Sequence, residues 1–188
     1  RPDYLNIGRL RRELENPPCL ALTATATARV QADLCDRLSL QDPLRLVTGF
    51  RRSNLALSVR LCRSRQEKLA TLDRVVREYE TGTILIYCAT RRAVEEVAAC
   101  LGQSQSSVGY YHAGLSDEER RKVHDEFRVG TVRILAATNA FGMGIDKSDV
   151  RLVVHFDIPG SLEAYYQEVG RAGRDGRGAA GPGDRDLV

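Results

Sequence analysis

The chain has 188 residues, 43% of them hydrophobic, and a formal net charge of +3. This length is enough for one full domain, or for one domain and part of a second. No run approaches the roughly 18 apolar residues of a membrane span, and the first residues do not resemble a secretory signal, so we expect a cytoplasmic protein without a membrane role. The five cysteines show no CxxC or Cys/His spacing, which argues against disulfide frameworks and zinc sites.

The first part of the chain combines two predicted helices with two extended runs. Apolar residues recur at helical spacing from Asp3 to Glu15 and from Val30 to Leu38. Cys19 to Leu22 is predicted to be a short buried strand, and Leu44 to Val47 a second extended run. Residues 49–54 then form a predicted interdomain linker.

From residue 55 onward, apolar strands alternate with charged amphipathic helices. The predicted strands are Leu55 to Leu61, Thr83 to Cys88, Ser107 to Tyr111, Val132 to Ala136 and Arg151 to Phe156, and the predicted helices are Gln66 to Tyr79, Arg91 to Leu101, Asp117 to Phe127 and Ser161 to Glu168. This alternation predicts an α/β fold with a parallel sheet that helices cover on both faces. Ligands of such sheets bind beyond the carboxyl ends of the strands.

Positive charge is concentrated between Arg51 and Lys68, where six basic residues accompany one acidic residue. Such a cluster is typical of a solvated face. It is also what a groove that follows a phosphate backbone requires.

A pair of arginines three residues apart, Arg171 and Arg174, lies between glycines in the segment Tyr165 to Gly176. Arginine is always charged and presents a rigid fork of donors, so it can neutralise charge on a transferring phosphoryl group, and the glycines allow close approach of the backbone. A lone GRxGR is also typical of a surface turn with solvated charges.

Other unusual segments follow predicted strands: Thr23-Ala24-Thr25, Tyr87 to Arg92, His112-Ala113-Gly114 and Ala137 to Asp146. Taken singly, a threonine-rich exit is typical of a helix cap, Gly-x-Gly of a turn, and a histidine of a structural hydrogen bond. Their joint occurrence at successive strand ends favours a functional site.

In this order, the segments LTATAT, IYCATRR, YHAGL, ATNAFGMGIDK, VHFDIP and YYQEVGRAGRDG resemble the RecQ family of ATP-dependent DNA helicases, within helicase superfamily two. The family has two RecA-like domains that clamp ATP between them and move along single-stranded DNA from 3′ to 5′. The resemblance implies that residues 1–48 end the first RecA-like domain and that residues 55–178 form most of the second. Residues 179–188 are expected to be a polar, disordered tail.

The resemblance also assigns residues to the nucleotide. It implies that Arg174 is the arginine finger, that Arg171 also reaches the ATP phosphates, and that Gln167 is a coupling residue near the nucleotide. These three form the expected catalytic set. Asp146, after Gly142 and Gly144, is expected near the ribose and the hydrolysis site.

A further set is expected at the nucleic acid. The resemblance places Thr138 near a DNA phosphate, while Tyr87, Thr90 and Arg91 lie where a strand end and a helix N-terminus can hold backbone phosphate. Thr23 and Thr25 match the motif that links nucleotide state to domain movement. His112 is interpreted as a structural residue.

Neither the GK[ST] loop nor the DExH motif occurs in these residues. The resemblance implies ATP and Mg²⁺ as cofactors, with the Mg²⁺ ligands in the preceding part of the first domain, and it implies that the family's zinc site is not present in this chain. The expected partners are single-stranded and partly duplex DNA, in DNA repair and recombination. The chain alone is expected to be inactive. The alternative is a non-enzymatic nucleic-acid-binding fragment or a decayed helicase gene product.

Overall fold

The structure is a computed structural model that describes residues 6–23, 26–47, 52–142 and 147–178. The chain divides into two compact units, Arg1–Arg51 and Arg52–Val188. The division into residues 1–48, 49–54, 55–178 and 179–188 that the resemblance implies stays a prediction, and its last segment lies outside the described residues.

The described part of the first unit contains two helices, α1 (Ile7–Glu13) and α2 (Ala28–Arg37). Thr27 caps α2, because its hydroxyl accepts a hydrogen bond from the backbone N–H three residues on, at 3.3 Å. Close approach of the helices depends on Gly8, where a Cβ atom would lie 2.0 Å from the carbonyl oxygen of Arg37. A side chain at this position would therefore push the two helices apart.

The described part of the second unit is a four-stranded sheet with four helices. Its elements are α3 (Arg65–Arg77), β1 (Thr83–Tyr87), α4 (Arg91–Gly102), β2 (Val108–Tyr111), α5 (Asp117–Val129), β3 (Ile134–Ala137), β4 (Val150–His155) and α6 (Leu162–Val169). The strand order is β2-β3-β1-β4, and every pairing is parallel. The predicted α/β class with a parallel sheet is confirmed.

The two central strands, β1 and β3, are buried along their whole length. Because side chains alternate along a strand, Ile84 and Ile86 pack against α3 and α4, whereas Leu85 and Tyr87 face the opposite cluster, which contains Phe127 of α5. Helices therefore cover both faces of the sheet. The same alternation decides on which face of the sheet each side chain at a strand end lies.

Two predicted strands are absent from the described structure. Cys19 to Leu22 and Leu55 to Leu61, like the run Leu44 to Val47, have no regular secondary structure and belong to no sheet, and their leucines are 58–92% exposed, apart from Leu55. Extended, apolar sequence is compatible with a strand, but a strand also requires a neighbour for its backbone hydrogen bonds. The described residues supply no neighbour for these runs, so the strands predicted at Cys19 to Leu22 and Leu55 to Leu61 are wrong.

Candidate nucleotide and nucleic-acid site

Four strand ends meet at one edge of the sheet. Because all four strands are parallel, Cys88, His112, Thr138 and Phe156 follow β1, β2, β3 and β4 at the same edge. The segments that the sequence singled out at these strand ends therefore lie close to one another: Ala89 and Asp157, which are hydrogen-bonded there, are 68 positions apart in the sequence.

The twin-arginine loop, defined here as residues 170–177, follows α6 and is fixed at two points. The N–H of Gly173 donates to the carbonyl of Val150 at 2.9 Å. Two residues later, Asp175 forms an ion pair with Arg151 through both carboxylate oxygens. Arg174 stands between these anchors and is exposed, as is Gln167 on α6. The fold thus presents Arg174 outward from a fixed stretch of backbone.

Arg171 differs from Arg174, because it turns inward against the loop that follows β3. A Cβ atom on Gly142 would lie 2.9 Å from Nη2 of Arg171, so glycine leaves room for the guanidinium. The Nε atom of Arg171 is buried and has no hydrogen-bond partner within the described residues. The structure therefore brings together Gly142 and Arg171, two of the residues expected at the nucleotide.

Tyr87 lies in the same inner cluster rather than on the surface. Its hydroxyl donates to the carbonyl of Phe141 at 3.3 Å, and its ring stacks on His155 with centroids 5.8 Å apart. Burial raises the pKa of the Tyr87 phenol to about 12, although the neighbouring Arg171 charge opposes this shift. In this structure Tyr87 supports the arginine and presents no surface to a nucleic acid.

His155 and Glu168 complete this cluster and were missed by the sequence reasoning. The two side chains are each only 12% exposed, and Nε2 of His155 lies 2.8 Å from Oε2 of Glu168. The pair joins the end of β4 to α6, which leads into the twin-arginine loop. Each residue lies inside a motif that the sequence analysis quoted, but no local pattern pairs residues 13 positions apart.

The N-terminus of α4 is a second part of the site. The hydroxyl of Thr90 accepts from the N–H of Ala93 at 3.1 Å, which makes Thr90 a helix cap. The N–H of Ala89 donates to Asp157 at 2.9 Å, and Lys68 pairs with the same carboxylate at 3.0 Å. Burial raises the pKa of Asp157, but these two hydrogen bonds outweigh it and leave the pKa below its ordinary value.

Arg91 extends from this helix toward β2. A Cβ atom on Gly114 would lie 2.9 Å from Nη1 of Arg91 and 3.1 Å from Nδ1 of His112. His112 is buried, accepts from the N–H of Gly114 at 3.2 Å and contacts Glu95 at 3.1 Å. These bonds are consistent with the structural interpretation of His112. Arg91 itself is exposed and reachable by a phosphate.

The remaining predicted residues are placed differently. Thr138 is 9% exposed, with its N–H bonded to Tyr111 and its carbonyl to Phe141, so it shapes the turn after β3. Thr23 is exposed and belongs to the first unit. Thr25, Gly144 and Asp146 lie outside the described residues.

Comparison with known proteins defines the class of this domain. The family of the helicase conserved C-terminal domain matches residues 67–176, more than half of the chain, and the chain belongs to that family. This span contains the whole sheet, α4, α5, α6 and nearly all of the twin-arginine loop.

Two curated relatives confirm the resemblance to RecQ-type helicases. The chain is 40% identical over 195 residues to the probable ATP-dependent DNA helicase RecS of Bacillus subtilis, and 43% identical over 183 residues to the ATP-dependent DNA helicase RecQ of the same organism. These alignments cover 100% and 94% of this chain, but the chain spans only 39% and 29% of the two relatives.

Among solved structures, Saccharomyces cerevisiae Dbp5 bound to RNA and ADP BeF3 is similar to this chain with a TM-score of 0.71 and 24% identity. The match covers 91% of this chain and 46% of that chain. At this identity the likeness supports the fold, a RecA-like α/β sheet.

Within the described residues, no group of three or more His, Cys, Asp or Glu side chains is arranged to hold a metal ion. The helices of that part of the chain are also too short or too polar to cross a membrane.

Proposed function

We propose that this chain is the second motor half of a RecQ-type, ATP-dependent 3′–5′ DNA helicase. The observation that carries the proposal is the twin-arginine loop, which is anchored to Val150 and Arg151 at the start of β4 and presents Arg174 to solvent, while Arg171 turns inward against Gly142 in the loop after β3. Relatives named as ATP-dependent DNA helicases, 40% and 43% identical, support this choice of reaction.

In this proposal the two arginines have different tasks. Arg174, exposed on a fixed backbone, supplies positive charge where negative charge develops on the γ-phosphoryl oxygens, as an arginine finger does. Arg171 has a buried Nε atom and rests against Gly142, so its task is to bind a phosphate with little loss of side-chain freedom. Gln167, exposed on α6, is assigned to coupling between the nucleotide and the DNA.

DNA contact is assigned to the α4 N-terminus and its neighbours. Arg91 is exposed and carries the charge, while Thr90 fixes the helix end whose backbone amides face an anion. Thr138 supports this edge through the turn after β3. Tyr87 is buried, so we assign it to support of Arg171 and not to direct DNA contact.

Hydrolysis needs parts that these 188 residues do not contain. The sequence has neither the GK[ST] loop that cradles phosphates nor the DExH acids that hold Mg²⁺. The described carboxylates do not form a group suited to a metal, so no step is assigned to Mg²⁺ on this chain. We therefore propose that the chain is catalytic only when it is joined to a first motor domain.

The test uses the purified 188-residue chain. We expect no ATP turnover, with or without single-stranded DNA, and weak DNA binding whose affinity falls steeply as salt rises, because phosphate contacts release counterions. Fluorescence anisotropy with two unrelated oligonucleotides at two salt concentrations measures the binding, and a steady-state assay measures turnover.

Arg91→Ala should weaken binding of both oligonucleotides equally. A matched variant on the same helix, Ala99→Ser, serves as the control because Ala99 is exposed. Turnover by a preparation free of other helicases would contradict the proposal, as would binding that ignores salt. Strong preference for one sequence would favour a different nucleic-acid-binding function.

A further inference from the structure

Arg52 lies within the predicted linker, residues 49–54, yet its guanidinium is bonded to the twin-arginine loop. Its Nη2 atom donates to the carbonyl oxygens of Gly173 at 2.6 Å and Ala172 at 3.1 Å, and Nη1 approaches that of Gly170 at 3.4 Å. All three acceptors follow α6, where carbonyl groups lack helical partners and a cation is favoured. A single side chain thus satisfies the backbone on both sides of Arg171.

Asn54, two positions after Arg52, is bonded to the same loop. Its Nδ2 atom donates to the carbonyl of Gly173 at 2.8 Å and to that of Arg177 at 3.0 Å. These two carbonyl groups stand on either side of Arg174 in the sequence. One amide group therefore fixes the distance between the two ends of the segment that carries Arg174.

Gly173 leaves room for Asn54, which together with Arg52 forms what we call the clamp on the twin-arginine loop. Its φ angle is +58°, and a Cβ atom there would lie 2.5 Å from Nδ2 of Asn54 and 3.0 Å from the Arg177 carbonyl. A side chain would therefore suffer an unfavourable backbone conformation and would also displace the asparagine. Leu55, which follows Asn54, packs against the buried cluster of Leu85 and Phe127. This packing holds the Arg52 to Leu55 turn in place.

We propose that Arg52 and Asn54 are positioning residues that hold the twin-arginine loop so that Arg174 projects at a fixed point. This role for Arg174 rests on the function proposed above, whereas the clamp itself is a property of the chain alone. Asn54 and Arg52 hold Gly173 on one side of Arg174, and Arg151 holds Asp175 on the other. The end of the linker is thereby part of the site.

The first measurement is hydrogen–deuterium exchange on the full 188-residue chain. The N–H groups of Ala172, Gly173 and Gly176 are hydrogen-bonded to backbone carbonyls and report directly on the loop. Asn54→Asp keeps the size of the side chain but replaces the donor with a carboxylate that two carbonyl oxygens repel. We expect loop amides to exchange about tenfold faster or more in this variant, while the amides of β1 and β3 are unchanged.

Two further variants separate the clamp from general stability. Arg52→Lys keeps the charge but cannot bridge several carbonyl groups, so loop exchange should lie between that of the unsubstituted chain and that of Arg52→Ala. Arg60→Ala, at an exposed position of the segment between Leu55 and α3, should leave the loop unchanged. Unaltered loop exchange in Asn54→Asp would overturn the proposal, and so would an equal acceleration throughout the unit.

The consequence for catalysis is measured in a hybrid helicase, in which this chain replaces the segment of Bacillus subtilis RecQ that aligns with it. Misplacing a catalytic group by about 1 Å can cost roughly 10²-fold in rate, so Arg52→Ala should lower kcat by that order with little change in KM. In an Arg174→Ala background the same substitution should add almost nothing, because the two residues act as one unit.

The comparison of Arg52→Ala, Arg174→Ala and the double variant distinguishes the clamp from the proposed function. Additive losses would overturn the positioning role of Arg52. If loop exchange responds as expected but Arg174→Ala leaves turnover unchanged, the clamp stands and the proposed function fails.

Discussion

The ion pair of Arg151 with Asp175 shows how single residues fix the site. Hydrogen bonding by Arg151 lowers the pKa of Asp175 to about 2, from an ordinary value of 3.8. A carboxyl group whose pKa is lower in the folded state stabilises that state above its unfolded pKa, and the contribution disappears as the pH falls through the folded pKa. The relevant window therefore runs from about pH 4 down to about pH 2.

We accordingly expect the free energy of unfolding to fall less steeply across this window in Asp175→Asn than in the unsubstituted chain. Denaturant unfolding at pH 4, 3 and 2 measures the difference. Glu118→Gln is the control, because Glu118 is an exposed carboxylate on α5 that forms no ion pair within the described residues. Parallel curves for Asp175→Asn and the unsubstituted chain would contradict the role given to this pair.

The sequence predicted which residues have functional chemistry more readily than it predicted which distant residues they contact. Arg171, Arg174 and Gly142 were recognised from local motifs, and the structure brings Arg171 and Gly142 into contact. The pairing of Arg52 with Gly173 spans 121 positions, and no local pattern contains such a distance. Burial changed the interpretation of Tyr87, since a strand-end tyrosine can face either side of the sheet.

At the scale of elements, α5 begins as its sequence predicts. The hydroxyl of Ser116 accepts from the N–H of Glu119 at 3.2 Å, and the Glu119 carboxylate accepts from the N–H of Ser116 at 2.8 Å. This reciprocal pair is a capping box, and it satisfies two amides that the helix itself leaves unpaired.

Ser116→Ala should destabilise the second unit by about 1 kcal/mol, because the cap's hydrogen bond to Glu119 is lost while the core is unchanged. Chemical denaturation followed by circular dichroism measures this loss. Ser106→Ala, at an exposed serine in the bend before β2, should change stability by less than about 0.5 kcal/mol. Equal effects of the two substitutions would show that the capping box does not stabilise α5.

The predicted strands are confirmed where a neighbouring strand is present, and they are wrong where the described residues supply no neighbouring strand. β1 and β3 are buried runs with partners on both sides, so apolar continuity was a sufficient signal. Leu55 to Leu61 has a similar composition but belongs to no sheet within the described residues. The composition of a segment indicates how readily it adopts an extended conformation. Whether another strand is available to pair with it depends on the tertiary fold.

At the scale of the molecule, the parallel sheet explains why separate motifs form one site. Every strand ends at the same edge, so Ala89, Arg91, Gly142 and Arg171 gather there although the chain separates them. The residues form two clusters, one around Arg171 and one at the α4 N-terminus. The proposal assigns phosphate chemistry to the first cluster and DNA contact to the second.

The most direct test of the central claim is DNA-stimulated ATP turnover by the hybrid helicase, compared with its Arg174→Ala variant. An arginine finger contributes on the order of 10³ to 10⁵ in rate, so we predict that Arg174→Ala lowers turnover by about 10³-fold or more, with nucleotide affinity little changed and little rescue by Arg174→Lys. Turnover of Arg174→Ala within roughly threefold of the unsubstituted hybrid would contradict the account and leave the loop as a structural turn.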